Sequence, residues 1–278
     1  MAWLSFIILL ILYKNHKHSF IIITCEVKHM QIPFYIIFFI FGSILGSFYN
    51  VVIYRLPRKE SIVVGSSHCP NCNTPIKPYD LIPILSYFIL GGKCRSCKKS
   101  YSYRYPLIEF ITGCLFALTY HVYGYSLLTL IGIILVSILL IITMIDIDTM
   151  EIYDTFQVFL LLLAILFITQ SSLPLGDHLI GFFLISVPFY ILAVITGGMG
   201  GGDIKLIAMG GLLLGWKATL VAFFIASITG GIVAILLVLL KQQGRKSLIA
   251  FGPYLCLGIY IAFLYGNTIF EWYLKLFN

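Results

Sequence analysis

The chain has 278 residues, of which 60% are hydrophobic and only 10% are Asp, Glu, Lys or Arg. Charged residues make up roughly a quarter of an ordinary soluble domain, so this composition excludes a soluble globular protein. The net charge of +7 does not indicate a nucleic-acid partner, because the basic residues cluster beside apolar segments, as they do in loops at one side of a membrane.

Eight apolar segments follow one another along the chain, and each is continuous, without the alternation of barrel strands. An α-helix needs roughly 20 such residues to cross a hydrocarbon core of about 30 Å. The segments are residues 32–54, 105–124, 126–145, 155–170, 178–196, 204–216, 218–240 and 248–265. The sequence therefore predicts an all-α, polytopic membrane helical bundle of about eight spans in a lipid bilayer.

The first 31 residues do not fit this pattern. Their apolar stretch "WLSFIILLILY" has only eleven residues, too few to span a bilayer comfortably. We interpret residues 1–31 as an N-terminal extension, and Met30 is an alternative start to Met1. The rest divides into a first membrane helix at 32–54, a loop at 55–104, a membrane domain at 105–265 and a C-terminal tail at 266–278.

The loop at 55–104 holds nine of the eighteen Lys and Arg residues. By the positive-inside rule this loop is cytoplasmic. Alternating sides from there puts residues 146–154, 197–203 and 241–246 in the cytoplasm as well. Residues 171–177, which include no Lys or Arg, then lie on the opposite face.

The same loop contains two Cys-x-x-Cys pairs, with 21 residues between them. This spacing is typical of a tetrahedral Cys₄ zinc site. A pair of disulfides is disfavoured on the reducing cytoplasmic side, whereas iron or a redox role stays open. Since four thiolates leave no open position for water, we expect a structural metal in a zinc-ribbon-like loop. The predicted ligands are Cys69, Cys72, Cys94 and Cys97.

Four of the eleven acids lie in the stretch "MIDIDTMEIYD". Carboxylates close to a membrane span are costly, so each one is a functional candidate. Asp146 ends the apolar run directly, and Asp148 points about 200° away from it around a continuing helix. We therefore expect Asp146 to face a site, and Asp148 and Glu151 to lie in the solvated interface.

A further acid, Asp203, follows Gly200-Gly201-Gly202 at the start of a predicted helix. Asp is a preferred N-cap, so the residue alone leaves an N-cap role and a catalytic role equally open. Two acids at helix ends on one membrane face suggest aspartic proteolysis, in which a pair of carboxylates shares one proton. The sequence has no HExxH motif of a zinc protease to compete with this interpretation.

The motifs together resemble the type IV prepilin peptidase family over about residues 33–265. They follow the family's order as "GSILGSFYNVVIYRLPRK", "SHCPNC", "YDLIPILSY", "GGKCRSC", "YRYPLIEF", "MIDIDTMEIYD", "GGMGGGDIKL" and "AFGPYLCLG". Gly200 to Asp203 also has the GxGD form of intramembrane aspartic proteases. One departure is Tyr153, where the family usually has Pro.

The resemblance implies a membrane aspartic endopeptidase of the bacterial inner membrane, with Asp146 and Asp203 as its catalytic pair. Such an enzyme removes the short basic leader of type IV prepilins or pseudopilins after Gly, at the cytoplasmic face. It then N-methylates the new N-terminal residue with S-adenosylmethionine. No GxGxxG motif accompanies this second activity, and its cofactor-binding residues are not identified by the sequence. The cytoplasmic loop, with the Cys₄ site, Glu109 and the segment "YDLIP", is the only sizeable place for it. Glu109 is otherwise expected to pair with Arg104.

Two other classes of function are compatible with acids near membrane spans. A zinc-ribbon membrane scaffold would use the acids structurally, and a proton-coupled transporter would use them as a proton relay. A transporter should carry its acids near the midplane, often within an internal repeat. Here both acids lie at the cytoplasmic ends of helices and no repeat is visible, which favours the protease.

Overall fold

The computed structural model describes the backbone of residues 19–65, 67–240 and 249–276, and side chains from residue 32 onward within those ranges. In these ranges the chain forms nine α-helices. They are α1 (Ser19–Arg55), α2 (Leu85–Ile89), α3 (Arg104–Tyr123), α4 (Leu127–Thr149), α5 (Asp154–Ile168), α6 (Leu175–Thr196), α7 (Gly201–Leu214), α8 (Trp216–Leu239) and α9 (Gly252–Lys275). Most of the predicted N-terminal extension and the basic loop at 241–246 lie outside the described residues.

Six of the described helices are long and apolar enough to cross a membrane: α1 from Ile32 onward, α3, α4, α6, α8 and α9. Helices α5 and α7 have 15 and 14 residues. At a rise of 1.5 Å per residue they extend only about 20 Å, less than the hydrocarbon core. The predicted all-α membrane bundle is confirmed, and all eight apolar segments are helical, but the prediction of about eight full spans is not confirmed.

Helices α1 and α3 pack closely along their lengths because glycines lie at their interface. A Cβ on Gly42 would lie 2.9 Å from the Cα of Gly113, and one on Gly46 would lie 2.9 Å from the Cα of Glu109. These separations are too short for any side chain. The Gly42-x-x-x-Gly46 spacing thus lets two backbones approach, as small residues do between membrane helices.

Helix α4 lies at the centre of the bundle, with α3, α5 and α9 packed around it. It is the most buried of the six candidate spans, and its Ile131, Leu135 and Ile142 are fully buried. Helix α9 also packs on α7 and α8, and α7 packs on α5 and α6. The C-terminal end of α4 is therefore enclosed by neighbouring helices.

An ion pair ties the cysteine loop to that same end of α4. Arg104, the first residue of α3, donates to both carboxylate oxygens of Asp148 at 2.7 and 2.8 Å and to the Met144 carbonyl at 3.2 Å. The predicted pairing of Arg104 with Glu109 is therefore wrong. Sequence proximity favoured the acid five residues along the same helix, whereas packing brings α4 to the guanidinium.

Candidate active site and metal centre

Asp146 lies one turn before the end of α4 and is 5% exposed. The helix ends at Thr149, and Met150 takes the left-handed conformation with its N–H bonded to the Asp146 carbonyl at 2.9 Å. Tyr153, which stands where the family usually has Pro, has a φ of −72°. A proline would hold nearly the same angle, so the turn after Asp146 forms without it.

The other acids of this stretch lie near the solvent. The Asp148 side chain is 37% exposed in its ion pair with Arg104, and Asp154 pairs with Lys205 at 2.6 Å with 73% of its side chain exposed. Glu151 is exposed. The expectation that Asp148 and Glu151 face solvent while Asp146 faces inward is confirmed.

Asp203 is the third residue of α7, whose N-cap is Gly200. The N-cap role that the sequence left open for Asp203 is therefore wrong, although a carboxylate in the first turn is still favoured by the helix dipole. A Cβ on Gly200 would lie 3.2 Å from Oδ2 of Asp203. The carboxylate thus turns back toward the glycine run that precedes the helix.

The structure brings Asp146 and Asp203 together. The two carboxylates lie within range of electrostatic interaction with each other and with the buried Cys256 of α9. The side chain of Ile152 lies beside the pair, since a Cβ on Gly202 would lie 2.8 Å from its Cβ. Three helix ends meet here: the last turn of α4 and the first turns of α7 and α9.

Gly252, the first residue of α9, is a site residue that sequence reasoning missed. Its amide faces the Asp146 carboxylate. A Cβ at this position would lie 2.5 Å from Oδ2 of Asp146 and 3.1 Å from Cδ1 of Ile152. The signal was present in the motif "AFGPYLCLG", but nothing in the sequence connects it to an acid more than 100 residues earlier.

Two buried carboxylate oxygens lack partners. In the described part of the chain, Oδ2 of Asp146 and Oδ1 of Asp203 make no hydrogen bond of normal geometry, and neither does the side-chain amide of Gln157, in the first turns of α5. Buried polar atoms nearly always have partners, so each of these atoms is free to accept or donate a further hydrogen bond. Two neighbouring carboxylates that share a proton can activate a water and protonate a leaving group.

The four cysteines of the loop converge on one point. Their sulfurs all lie within 4.8 Å of one another, with 3.9 Å between Cys69 and Cys97 and 4.0 Å between Cys72 and Cys94. Tetrahedral zinc with Zn–S bonds of about 2.3 Å requires sulfurs about 3.8 Å apart. The described cysteines form no disulfide, so the cluster fits a four-thiolate metal.

The two Cys-x-x-Cys turns share one backbone pattern. Asn73 donates to the Cys69 carbonyl at 2.9 Å, and Lys98 donates to the Cys94 carbonyl at 3.0 Å. Hydrogen bonds from the Cys97 amide and then the Tyr101 hydroxyl lower the pKa of the Cys94 thiol to about 6. The pKa of the neighbouring Cys97 thiol is instead raised to about 11. A thiolate is the form that binds metals, so in the absence of a metal the loop favours that form at Cys94 and not at Cys97.

The Cys94-x-x-Cys97 turn is held by an ion pair to the segment before α2. Arg95 donates to both oxygens of Asp80 at 2.8 and 2.6 Å, and this pair lowers the pKa of the Asp80 carboxyl below its usual range. Deeper in, Oε2 of Glu109 accepts a hydrogen bond from the Ile84 amide at 2.7 Å. The loop is thereby fixed to α3 at Glu109, which is 8% exposed.

Comparison with known proteins identifies two matching family models. The bacterial peptidase A24 N-terminal domain matches residues 40–123, and the type IV leader peptidase family matches residues 133–235. No solved structure matches the chain.

Several curated relatives are similar over most of their length, and each is called prepilin leader peptidase/N-methyltransferase. The relative from Bacillus subtilis (strain 168) is 37% identical over 86% of this chain and 98% of its own. That from Neisseria gonorrhoeae is 36% identical over 84% and 91%, and that from Aeromonas salmonicida (strain A449) is 35% identical over 85% and 92%.

Proposed function

The chain belongs to the type IV leader peptidase family, and on that premise we propose that Asp146 and Asp203 are the catalytic acids with which it cleaves prepilins. Membership and the names of the relatives support both peptidase and N-methyltransferase activity. They also favour the enzyme over a scaffold or a transporter. One observation carries the assignment to this pair: each acid presents a buried carboxylate oxygen without a partner at the meeting point of three helix ends.

The pair supplies the two roles that peptide hydrolysis needs. The cost of holding two adjacent negative charges away from water keeps one proton on the pair. The ionised carboxylate takes a proton from water, whose oxygen attacks the scissile carbonyl carbon. The protonated carboxyl gives its proton to the substrate, and the C–N bond breaks to leave a free α-amine.

The position of the pair at helix ends defines the substrate. The scissile bond lies near the membrane surface, just before an apolar segment that docks among the spans. A prepilin has this form, with a short basic leader, a Gly before the cut and an apolar helix after it. Gly201 borders open space, because no atom lies within 4 Å of the position its Cβ would take. The substrate backbone can approach the acids through this space. Pseudopilins of the same design are substrates too.

The orientation of the enzyme follows from charge. Nine of its eighteen Lys and Arg residues lie between Arg55, the last residue of α1, and Arg104, the first residue of α3. Arg104 ties this segment to the Asp146 end of the bundle. The positive-inside rule places this end in the cytoplasm, and the enzyme in the bacterial inner membrane as a multi-pass protein. The leader is thus cut on the side where it is made.

Two non-protein groups complete the enzyme. Zinc, held by Cys69, Cys72, Cys94 and Cys97, stabilises the cytoplasmic loop, because four protein ligands leave no position for a reacting water. S-adenosylmethionine supplies the methyl group that is transferred to the new α-amine.

The test is cleavage of a purified prepilin by membranes that contain the enzyme, read by mass spectrometry of the new N-terminus. Asp146→Asn and Asp203→Asn should each abolish cleavage while the protein remains inserted, because the two acids act as a unit. Asp148→Asn is the matched control, since its half-exposed ion pair contributes only about 0–1 kcal/mol to stability. Loss of cleavage in Asp148→Asn with activity retained in Asp146→Asn would refute the assignment.

A further inference from the structure

A cavity of about 350 Å³ lies between the cysteine loop and the adjoining ends of α1 and α3. Its size is in the range of about 300–1,000 Å³ that is usual for sites that hold one small molecule. Neither Asp146 nor Asp203 lines it. The proposed peptidase reaction therefore leaves this cavity without a use.

The cavity has one wall formed by helices α1 and α3 and another formed by the cysteine loop. Ser47 and Asn50 come from α1, and Glu109 comes from α3, where the glycine contacts fix the two backbones. The opposite wall belongs to the loop and includes Tyr101, whose hydroxyl hydrogen-bonds the Cys94 sulfur. Folding of the loop around its metal thus completes the cavity.

Glu109 is one of two acids in this wall with a buried side chain, and the other is Asp80. It is 8% exposed, one oxygen accepts the Ile84 amide, and the Ser47 hydroxyl faces the carboxylate. Asp80, another acid of the wall, is already paired with Arg95 outside it. Since a charge held away from water needs a partner, Glu109 favours a cationic ligand.

The remaining wall suits a ligand that is part aromatic and part zwitterionic. Tyr54, Tyr87, Tyr101 and Tyr105 line the cavity, and tyrosine rings stack on flat heterocycles and attract cations. Lys93 adds a positive charge that can meet a carboxylate. The wall thus offers groups for a nucleobase, a cation and an amino-acid carboxylate in one small space.

We propose that this cavity binds S-adenosylmethionine, with the Glu109 carboxylate facing the cationic part of the molecule. The proposal rests on the N-methyltransferase half of the proposed function and names its site. When bound, the cofactor supplies a sulfonium methyl group: an N–C bond to the α-amine forms as the C–S bond breaks, the electron pair stays on sulfur, and the amine releases one proton to water. Glu109, the tyrosines and the loop bind and orient the cofactor and exclude water from it.

Direct binding tests the proposal without any prepilin. Full-length protein in nanodiscs is dialysed to equilibrium against radiolabelled S-adenosylmethionine. Wild type should bind, and Glu109→Gln should weaken binding about tenfold or more, because it removes one charge-assisted contact. Glu271→Gln, the same change at an exposed position of α9, is the matched control and should bind like wild type.

Two checks keep the result interpretable. The Gln side chain retains an oxygen that can accept the Ile84 amide, so Glu109→Gln should keep the wild-type melting temperature and metal content. Ultraviolet crosslinking of the labelled cofactor to wild type should mark peptides that contain Tyr54, Tyr101 or Tyr105. Because crosslinking uses the wild-type protein, it identifies the site even if Glu109→Gln is unstable.

Several outcomes would overturn the proposal. Equal affinity in wild type and Glu109→Gln, or crosslinks confined to α4–α9, would leave the methyltransferase in place but move its site. Absence of cofactor binding to wild type, with Glu109-dependent binding of a basic leader peptide, would assign the cavity to the substrate. Failure of prepilin cleavage would count against the proposed peptidase function, which these binding measurements do not involve.

Discussion

A single methyl group at Gly252 should disable the peptidase without removing either acid. The Cβ of Gly252→Ala would lie 2.5 Å from Oδ2 of Asp146, about 0.9 Å closer than the 3.4 Å at which ordinary contact begins. The Asp146 carboxylate must therefore retreat by close to 1 Å. The Ile152 side chain, 3.1 Å from the same position, limits the directions in which it can move.

The size of the effect follows from this displacement. A misplacement of about 1 Å in a catalytic group costs on the order of 10²-fold in rate, equivalent to about 2.7 kcal/mol of transition-state stabilisation. Inserting a methyl group into a packed site also destabilises a fold by about 1–3 kcal/mol. We expect kcat/KM for prepilin cleavage to fall about 100-fold while most of the protein stays folded and inserted.

The measurement is the initial rate of prepilin cleavage at several substrate concentrations, normalised to the amount of inserted enzyme. Gly231→Ala in α8 is the control, because an added Cβ there meets no atom within 4 Å, and it should keep wild-type activity. If Gly252→Ala cleaves within about threefold of wild type, the position of Asp146 Oδ2 does not matter for the reaction. The assignment of this acid to catalysis would then fail.

Two further predictions concern the metal and the substrate. Cys72→Ser should lower the zinc content and make the loop between α1 and α3 more sensitive to protease, because structural zinc contributes on the order of 10 kcal/mol to folding of small Cys sites. Elemental analysis that finds no zinc in wild type, or a disulfide in freshly isolated protein, would contradict this prediction. A prepilin with Val in place of the Gly before the cut should stay uncleaved, because its side chain would crowd the acids. Equal processing of matched Gly and Val substrates would refute this steric requirement, and cleavage on the periplasmic side would refute the cytoplasmic site.

Local patterns in the sequence were enough for several features of this protein. The apolar segments predict helices because a backbone in lipid must satisfy its own hydrogen bonds. The paired Cys-x-x-Cys turns predict the cluster because each turn presents two sulfurs to one point. Helical periodicity alone separated the buried Asp146 from the exposed Asp148. Each of these inferences depends on residues that are close together in the chain.

The contacts between distant segments were decided only by tertiary structure. Gly252 touches Asp146 because α9 packs on α4. Helix packing also pairs Arg104 with Asp148, whereas Glu109 accepts a hydrogen bond from the Ile84 amide. Composition predicts that α5 and α7 are apolar helices. Their lengths of 15 and 14 residues, too short for a full span, are set by where the chain turns in the folded bundle. A sequence pattern reports the face and the local environment of a side chain, whereas its partner across the bundle is set by how the helices pack.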